Sequence, residues 1–136
     1  MRQLNRDPFR RFTRKPTGFD TLAGEIKAAY EQDRVEAKSK YEGTVMEFTG
    51  IFDNITELGF LGTLVQIKDA TDGSRFRVNA VFDADSYDAG KLNIKNIGKT
   101  ITISGRFTYM QDTEVAQSVF EYTDIRLEHC TLVKIK

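Results

Sequence analysis

Five strand-like segments follow one another from Thr44 onward, and this succession constrains the fold more than any other feature. The clearest segment is Arg75–Asp83, in which apolar side chains alternate with mostly polar ones. Alternation with a period of two is typical of a strand that buries one face. The expected inward residues of this segment are Phe76, Val78, Ala80 and Phe82. The other four segments are Thr44–Ile55, Thr63–Asp69, Thr100–Met110 and Ile125–Ile135.

Glycines interrupt two of the longer segments. Gly50 lies inside the first and Gly105 inside the fourth, and such positions suit the bends of a barrel strand. An immunoglobulin-like sandwich would need about seven strands, more than this pattern provides. We therefore predict a mainly β protein, with a five-stranded OB-fold barrel over residues 44–136. The expected inward residues of the fourth strand are Ile101, Ile103, Phe107 and Tyr109.

A helical stretch precedes the strands. Apolar residues from Leu22 to Tyr30 recur at helical spacing. The segment Asp33–Glu36 then has the form of a capping box, which predicts a second helix start. We expect residues 20–42 to form one kinked helix or two short α-helices, with Tyr30 and Tyr41 covering one open end of the barrel.

The composition limits the chemistry. The chain has 136 residues, 40% of them hydrophobic and 29% charged, which is typical of one globular domain. The single cysteine, Cys130, excludes an internal disulfide and a multi-cysteine zinc site, and we expect it to be buried. The single histidine, His129, excludes a two-histidine metal site and leaves little material for acid–base chemistry near neutral pH. We predict no metal, no cofactor and no catalytic residue, and therefore no enzyme.

The zero net charge conceals an uneven distribution. Residues 1–16 carry six basic residues and one acidic residue, a local charge of +5, which leaves −5 on the rest of the chain. Pro8 and Pro16 interrupt helix formation in this segment. We predict a basic flexible arm over residues 1–19 and a single domain over residues 20–136.

The arm is a candidate contact for phosphates, because arginine forms bidentate hydrogen bonds with phosphate oxygens. It could also contact a protein partner or the acidic body of the chain itself. Its candidate nucleic-acid-binding residues are Arg2, Arg6, Arg10, Arg11, Arg14 and Lys15.

No apolar run approaches the roughly 20 residues that a membrane helix needs. The basic start of the chain has no apolar stretch behind it, unlike a secretory signal. The sequence therefore predicts a cytoplasmic protein without membrane association, and it leaves the oligomeric state open.

Four blocks of sequence occur in the order found in a known family. Ala29–Thr44 holds a tyrosine, an acidic helix restart, an alanine and a second tyrosine before a glycine. Val45–Ile55 holds hydrophobic and acidic residues and a Thr-Gly pair that leads to isoleucine. Ile97–Arg106 contains a glycine-led strand, and Ile125–Val133 contains Leu-x-x-Cys. This ordered set, over most of residues 22–135, resembles the tRNA-anti-like family of OB-fold domains.

The resemblance implies an OB-fold and, by analogy of fold, nucleic-acid binding. The sequence departs from the family pattern at two points. Many members have a cysteine in the third strand, where this chain has Asn79, so Cys130 has no partner there. Many members also follow a lipoprotein signal, whereas this chain has the basic arm.

OB-folds that bind single strands use the exposed face of strands two and three and the neighbouring loops. By the alternation above, this face presents Gln66, Lys68, Arg75, Arg77 and Asn79. The three cations among them form a small basic group that suits phosphates. Phe60, between Gly59 and Gly62, is the candidate exposed aromatic for stacking on a base.

Two functions remain open from the sequence. The first is a non-catalytic protein that binds single-stranded DNA or RNA through the arm and the strand face. The second is a protein-interaction module, such as a small inhibitor or accessory subunit that docks on a protein partner. The acidic body opposes phosphate binding, whereas the arm and the basic group favour it. We favour nucleic acid and leave DNA versus RNA and base preference undetermined.

Overall fold

The computed structural model of the protein describes residues 18–70, 74–114 and 121–136. Within these ranges two helices precede five strands, as the sequence predicts. The helices are α1 (Phe19–Gln32) and α2 (Arg34–Tyr41). The strands are β1 (Val45–Glu57), β2 (Thr63–Lys68), β3 (Phe76–Phe82), β4 (Thr100–Glu114) and β5 (Glu121–Ile135). Short 3-10 turns lie in the connections, at Gly59–Leu61, Asp88–Lys91 and Ile94–Asn96.

The strands close into a barrel in the order β1-β2-β3-β5-β4, with β4 paired back onto β1. All neighbouring pairs are antiparallel except β3 and β5, which run parallel. This closed five-stranded order is that of the OB-fold, so the predicted fold is confirmed.

Two glycines allow close approach between neighbouring strands. A Cβ atom added at Gly50 would lie 2.5 Å from the backbone oxygen of Lys68. One added at Gly105 would lie 2.5 Å from the Sγ atom of Cys130. Any larger residue at either position would therefore displace the facing strand. This close approach explains why glycines occur inside these two strands.

The barrel interior is filled by large apolar side chains. Of the residues expected to point inward, Val78, Phe82, Ile101 and Ile103 are at most 1% exposed, and Phe76 is half-buried against them. The expectation for Tyr109 is wrong, because a register shift between Phe107 and Tyr109 reverses the alternation in β4. Tyr109 is 43% exposed, whereas Met110 is buried.

The helices pack on the barrel through aromatic rings. The rings of Tyr30 and Tyr41 lie 6.2 and 6.3 Å from that of Phe107, and both tyrosines are buried, as expected. Helix α1 begins at Phe19, whose ring meets that of Phe48 edge-on at 5.2 Å. The buried domain therefore includes Phe19, a residue that the sequence assigns to the arm. In the described part of the chain, neither helix has the length and apolarity to cross a membrane.

The capping box predicted at Asp33 is half formed. The Asp33 carboxylate accepts a hydrogen bond of 3.1 Å from the backbone N–H of Glu36 and so starts α2. Asp33 has an extended backbone, which separates α1 from α2.

Candidate functional site

Strands β2 and β3 bring four of the predicted site residues together. Their antiparallel register places Gln66 opposite Asn79 and Lys68 opposite Arg77. The four side chains alternate with Val65, Ile67, Val78 and Ala80, which are fully buried. Because successive side chains in a strand point to opposite faces, the four polar residues lie on the outside of the barrel.

A row of side-chain amides crosses three strands on this outer face. The Nδ2 of Asn54 in β1 donates to Oε1 of Gln66 at 3.4 Å. The Nε2 of Gln66 in turn donates to Oδ1 of Asn79 at 2.9 Å. We call Asn54, Gln66 and Asn79 the amide row. Each amide retains further donors and acceptors, so the row can bind a second polar partner above the sheet.

The two cations beside the amide row are already paired with carboxylates. The Nε and Nη2 atoms of Arg77 donate to the two carboxylate oxygens of Asp124 in β5, at 2.8 and 3.0 Å. The Nζ of Lys68 lies 3.4 Å from Oδ1 of Asp53. The Asp124 side chain is only 12% exposed, whereas Asp53 is 44% exposed. The basic group expected from the sequence is therefore partly neutralised by the barrel itself.

Arg75 lies just before β3 and is exposed. Its backbone oxygen accepts a hydrogen bond of 2.8 Å from the N–H of Thr123, which fixes this end of β3 against β5. The same end of the face carries Lys68 and Arg77, so the three predicted cations of the face are clustered at one end of it.

Phe60 lies at the opposite end, in the turn between β1 and β2. It is 90% exposed and the neighbouring Leu61 is 64% exposed, so the predicted exposed aromatic is confirmed as exposed. The turn depends on glycine, because Gly62 has a φ of 111° and an added Cβ there would collide with the backbone oxygen of Phe82. From this turn toward Lys68, the face changes from apolar to amide to charged.

Two further outward residues, Arg126 and Tyr109, adjoin the amide row on the last two strands and were not predicted from the sequence. The register places Asn79 beside Arg126 in β5, and Arg126 beside Tyr109 in β4. The Nε of Arg126 makes no hydrogen bond and lies 3.5 Å from Oε2 of Glu128. The alternation of β5 could have placed Arg126 on the outer face, but only the parallel β3–β5 register shows its neighbour.

The arm residues Arg2, Arg6, Arg10, Arg11, Arg14 and Lys15 lie outside the described residues. Their part in any site therefore rests on the sequence.

Cys130 and His129 do not form a nucleophile–base pair. Cys130 is 5% exposed, and burial raises the pKa of its thiol from 9.0 to about 12. His129 has a φ of 53° and points outward, where its Nδ1 lies 2.9 Å from Oδ1 of Asp83. The exposed His129 and the buried Cys130 therefore lie on opposite sides of the barrel wall, as the alternation of strand side chains predicts. Among the described residues no group of three or more His, Cys, Asp or Glu side chains could hold a metal ion.

The fold is similar to those of solved structures. One of them is the crystal structure of a lipoprotein from Klebsiella pneumoniae that is named as a candidate nucleic acid-binding protein. The TM-score is 0.54 and the sequence identity is 21%, and the similarity covers 88% of this chain and 100% of the Klebsiella chain. A weaker similarity, with a TM-score of 0.41 and 12% identity, relates 70% of this chain to 22% of the asparaginyl-tRNA synthetase of Entamoeba histolytica, solved with asparaginyl-adenylate. No curated protein matches the sequence.

The family comparison covers most of the chain. The model of the tRNA_anti-like family matches residues 5–119, a range that starts within the basic arm, includes β1 to β4 and stops before β5. The Leu-x-x-Cys resemblance of the closing strand therefore lies beyond the matched range. Because the match spans well over half of the sequence, this protein belongs to the tRNA_anti-like family.

Proposed function

We propose that this protein binds single-stranded nucleic acid, without catalysis, through the outer face of β2 and β3 and the basic arm. The observation that carries the proposal is the amide row, which runs across the face that OB-folds use for oligonucleotides. Amide side chains donate to and accept from base edges, which are accessible in a single strand. The family and the name of the similar Klebsiella protein agree with this class of ligand by analogy of fold.

The face offers three kinds of contact in sequence along its length. Phe60 provides an aromatic ring for stacking at one end, and such stacking contributes about 1–3 kcal/mol per base. The amide row lies in the middle. Lys68, Arg75 and Arg77 lie at the far end, where phosphate oxygens can compete with the carboxylates that pair with Lys68 and Arg77.

Because of the internal ion pairs, the face and the arm contribute differently to binding. Because Asp53 and Asp124 offset two of the cations, the face provides little net positive charge. The arm, with a local charge of +5, provides most of the attraction for phosphates. The face then determines how the strand is positioned, and the arm determines how steeply affinity depends on salt.

Fluorescence anisotropy with labelled oligonucleotides at two salt concentrations tests the proposal. We expect single strands to bind more tightly than the matching duplex. If about four arm cations contact phosphates, the slope of log affinity against log salt on a single strand is about −3. Deletion of residues 1–16 should flatten that slope. Lys68→Ala should weaken binding, whereas Lys38→Ala, at an exposed lysine of α2, should leave it unchanged.

A protein-interaction module is the second candidate. The observation that favours it is the pair of exposed apolar side chains, Phe60 and Leu61, in the β1–β2 turn. Such a pair suits a protein groove as well as a base. If the full chain binds no oligonucleotide at low salt and micromolar concentration, the nucleic-acid proposal is abandoned and the protein-partner function takes its place.

A further inference from the structure

We infer that Asn79, Arg126 and Tyr109 form a subsite for a guanine base, in which the first two donate hydrogen bonds to the acceptor edge and Tyr109 stacks on the ring. The inference deepens the proposed function and rests on it. The base-reading site then extends from β2 and β3 onto β5 and β4, a continuation that the alternation of single strands does not predict.

The hydrogen bonds of the amide row have one direction. Asn54 donates to Gln66 and Gln66 donates to Asn79, so both hydrogen bonds run toward β3. The Oδ1 of Asn79 is already engaged as an acceptor. Its Nδ2 donors make no hydrogen bond with any described residue. The row therefore ends in an amide donor on the side of β3 that adjoins β5.

Arg126 lies next to the end of the amide row. The parallel register places it directly beside Asn79, on the same outer face. Its side chain is 31% exposed, and its Nε is buried without a hydrogen bond, 3.5 Å from Oε2 of Glu128. Arg77, by contrast, donates twice to Asp124. Of these two arginines, Arg126 has the weaker carboxylate partner, a single ion-pair contact of 3.5 Å without a hydrogen bond at Nε.

The chemistry of the pair defines its ligand. Arg126 has only donors, and Asn79 presents its remaining donors next to it. A ligand edge with two adjacent acceptors and no donor suits this arrangement. Guanine presents such an edge at O6 and N7, and arginine bound to these two atoms is the commonest specific base contact. Adenine presents a donor beside N7 and is disfavoured.

Tyr109 completes the subsite. It lies beside Arg126 on the next strand and is 43% exposed, because the register shift in β4 turns it outward. Neighbouring strands lie about 5 Å apart, so Asn79, Arg126 and Tyr109 span roughly 10 Å across the sheet. An exposed ring at one end of a donor pair provides the flat surface on which a single-stranded base stacks.

A thymine oligonucleotide with one central substitution tests the inference. The full chain should bind the strand with a central guanine roughly 5- to 150-fold more tightly than strands with a central adenine or thymine. Replacement of that guanine by 7-deazaguanine, which lacks the N7 acceptor, should remove most of the preference. Absence of a guanine preference, or a preference that 7-deazaguanine retains, would overturn the subsite.

Substitutions connect the preference to these residues. Asn79→Asp replaces the donors with acceptors, and Arg126→Lys keeps the charge but loses the planar fork. Both should reduce the guanine preference to less than twofold, and Tyr109→Ala should weaken guanine and thymine strands alike. Lys134→Ala, at an exposed cation of β5, is the control and should change neither. An unchanged thermal midpoint of each variant shows that the fold is retained.

The outcomes separate the subsite from the proposed function. If Arg126→Lys and Arg126→Ala both leave the preference intact, the subsite is wrong although the protein still binds single strands. If Arg126→Ala weakens all strands equally and only reduces the salt slope, Arg126 contacts phosphate and the guanine inference fails. If no strand binds to the full chain, the proposed function itself fails.

Discussion

The guanidinium of Arg77 and the carboxylate of Asp124 form a bidentate pair across the parallel β3–β5 junction, with N···O distances of 2.8 and 3.0 Å. The pair fixes the register where β3 and β5 run parallel. It also places a carboxylate where a phosphate would bind the same fork. The pair therefore stabilises the fold and opposes phosphate binding at this end of the face.

Asp124→Asn should separate these two effects. The variant keeps the shape of the side chain but loses the charge and one acceptor, so the free energy of unfolding should fall by about 1–3 kcal/mol. Affinity for a single-stranded oligonucleotide should rise, because the partner of Arg77 becomes neutral and a negative charge is removed from the face. Urea denaturation and anisotropy measure the two changes.

Glu36→Gln, at an exposed carboxylate of α2, removes the same charge away from the face and is the matched control for affinity. Asp53→Asn, in the half-exposed Lys68–Asp53 pair, should change stability by only about 0–1 kcal/mol. If Glu36→Gln raises affinity as much as Asp124→Asn does, the effect is one of net charge and the competition at Arg77 is refuted.

Phe82→Ala should destabilise the barrel. The side chain is fully buried at the end of β3, so its removal costs about 3–5 kcal/mol through lost burial and the remaining cavity. Phe60→Ala is the control, since Phe60 is 90% exposed and its loss should change stability by less than about 0.5 kcal/mol. Urea midpoints measure both, and equal midpoints for the two variants would place Phe82 outside the core.

Gly105→Ala tests the close approach of β4 and β5. The added methyl would lie 2.5 Å from Sγ of Cys130, and we expect a loss of about 1–3 kcal/mol. In a Cys130→Ala background the loss should be smaller, because the sulfur is gone. Gly24→Ala in α1 meets no atom within 4 Å and should stabilise the protein by about 0.5–1 kcal/mol. Equal costs of Gly105→Ala in both backgrounds would contradict the contact.

The number and order of elements could be predicted because each element buries a face. Alternation in β3 and helical spacing in α1 are direct consequences of burial, and they appear in the sequence. The ends of β4 and β5 could not be predicted in the same way. Strand β4 extends to Glu114 and β5 begins at Glu121, and these ends are mostly polar and do not show the alternation of a buried face.

Most of the predicted face comes from two strands that follow one another in the sequence. Gln66, Lys68, Arg77 and Asn79 follow from the alternation of these strands. Their neighbours in β5 could not be predicted in this way. Asp124 lies 47 residues from Arg77, and no local sequence feature specifies a parallel register. Tyr109 was missed for a related reason, since the register shift before it reverses the alternation and leaves no mark in the composition.

Stability should fall in alkali because of Cys130. Burial raises the pKa of the thiol from 9.0 in a free chain to about 12 in the fold. Between these values the unfolded chain releases a proton that the folded chain retains, so the free energy of unfolding decreases as pH rises above about 9. At pH 10 the decrease is about 1 kcal/mol relative to pH 8.

Cys130→Ala isolates this effect from other groups that ionise in alkali, including Tyr30, whose pKa burial also raises. The stability difference between the variant and the natural chain should shift toward the variant by about 1 kcal/mol from pH 8 to pH 10. Urea midpoints at both pH values measure it, and a difference that stays constant would show that the thiol ionises in the folded state as it does in a free chain.

A titration of the isotope-labelled chain with a single-stranded oligonucleotide at low salt, followed by the backbone and side-chain amide signals in NMR spectra, tests the central claim most directly. We predict the largest shifts at the side-chain amides of Gln66 and Asn79 and at the backbone amides of Phe60 and Arg126. The signals of α2 should stay in place. Shifts confined to the helices, or no shifts at a tenfold excess of oligonucleotide, would contradict a nucleic-acid interface on the outer face of the barrel.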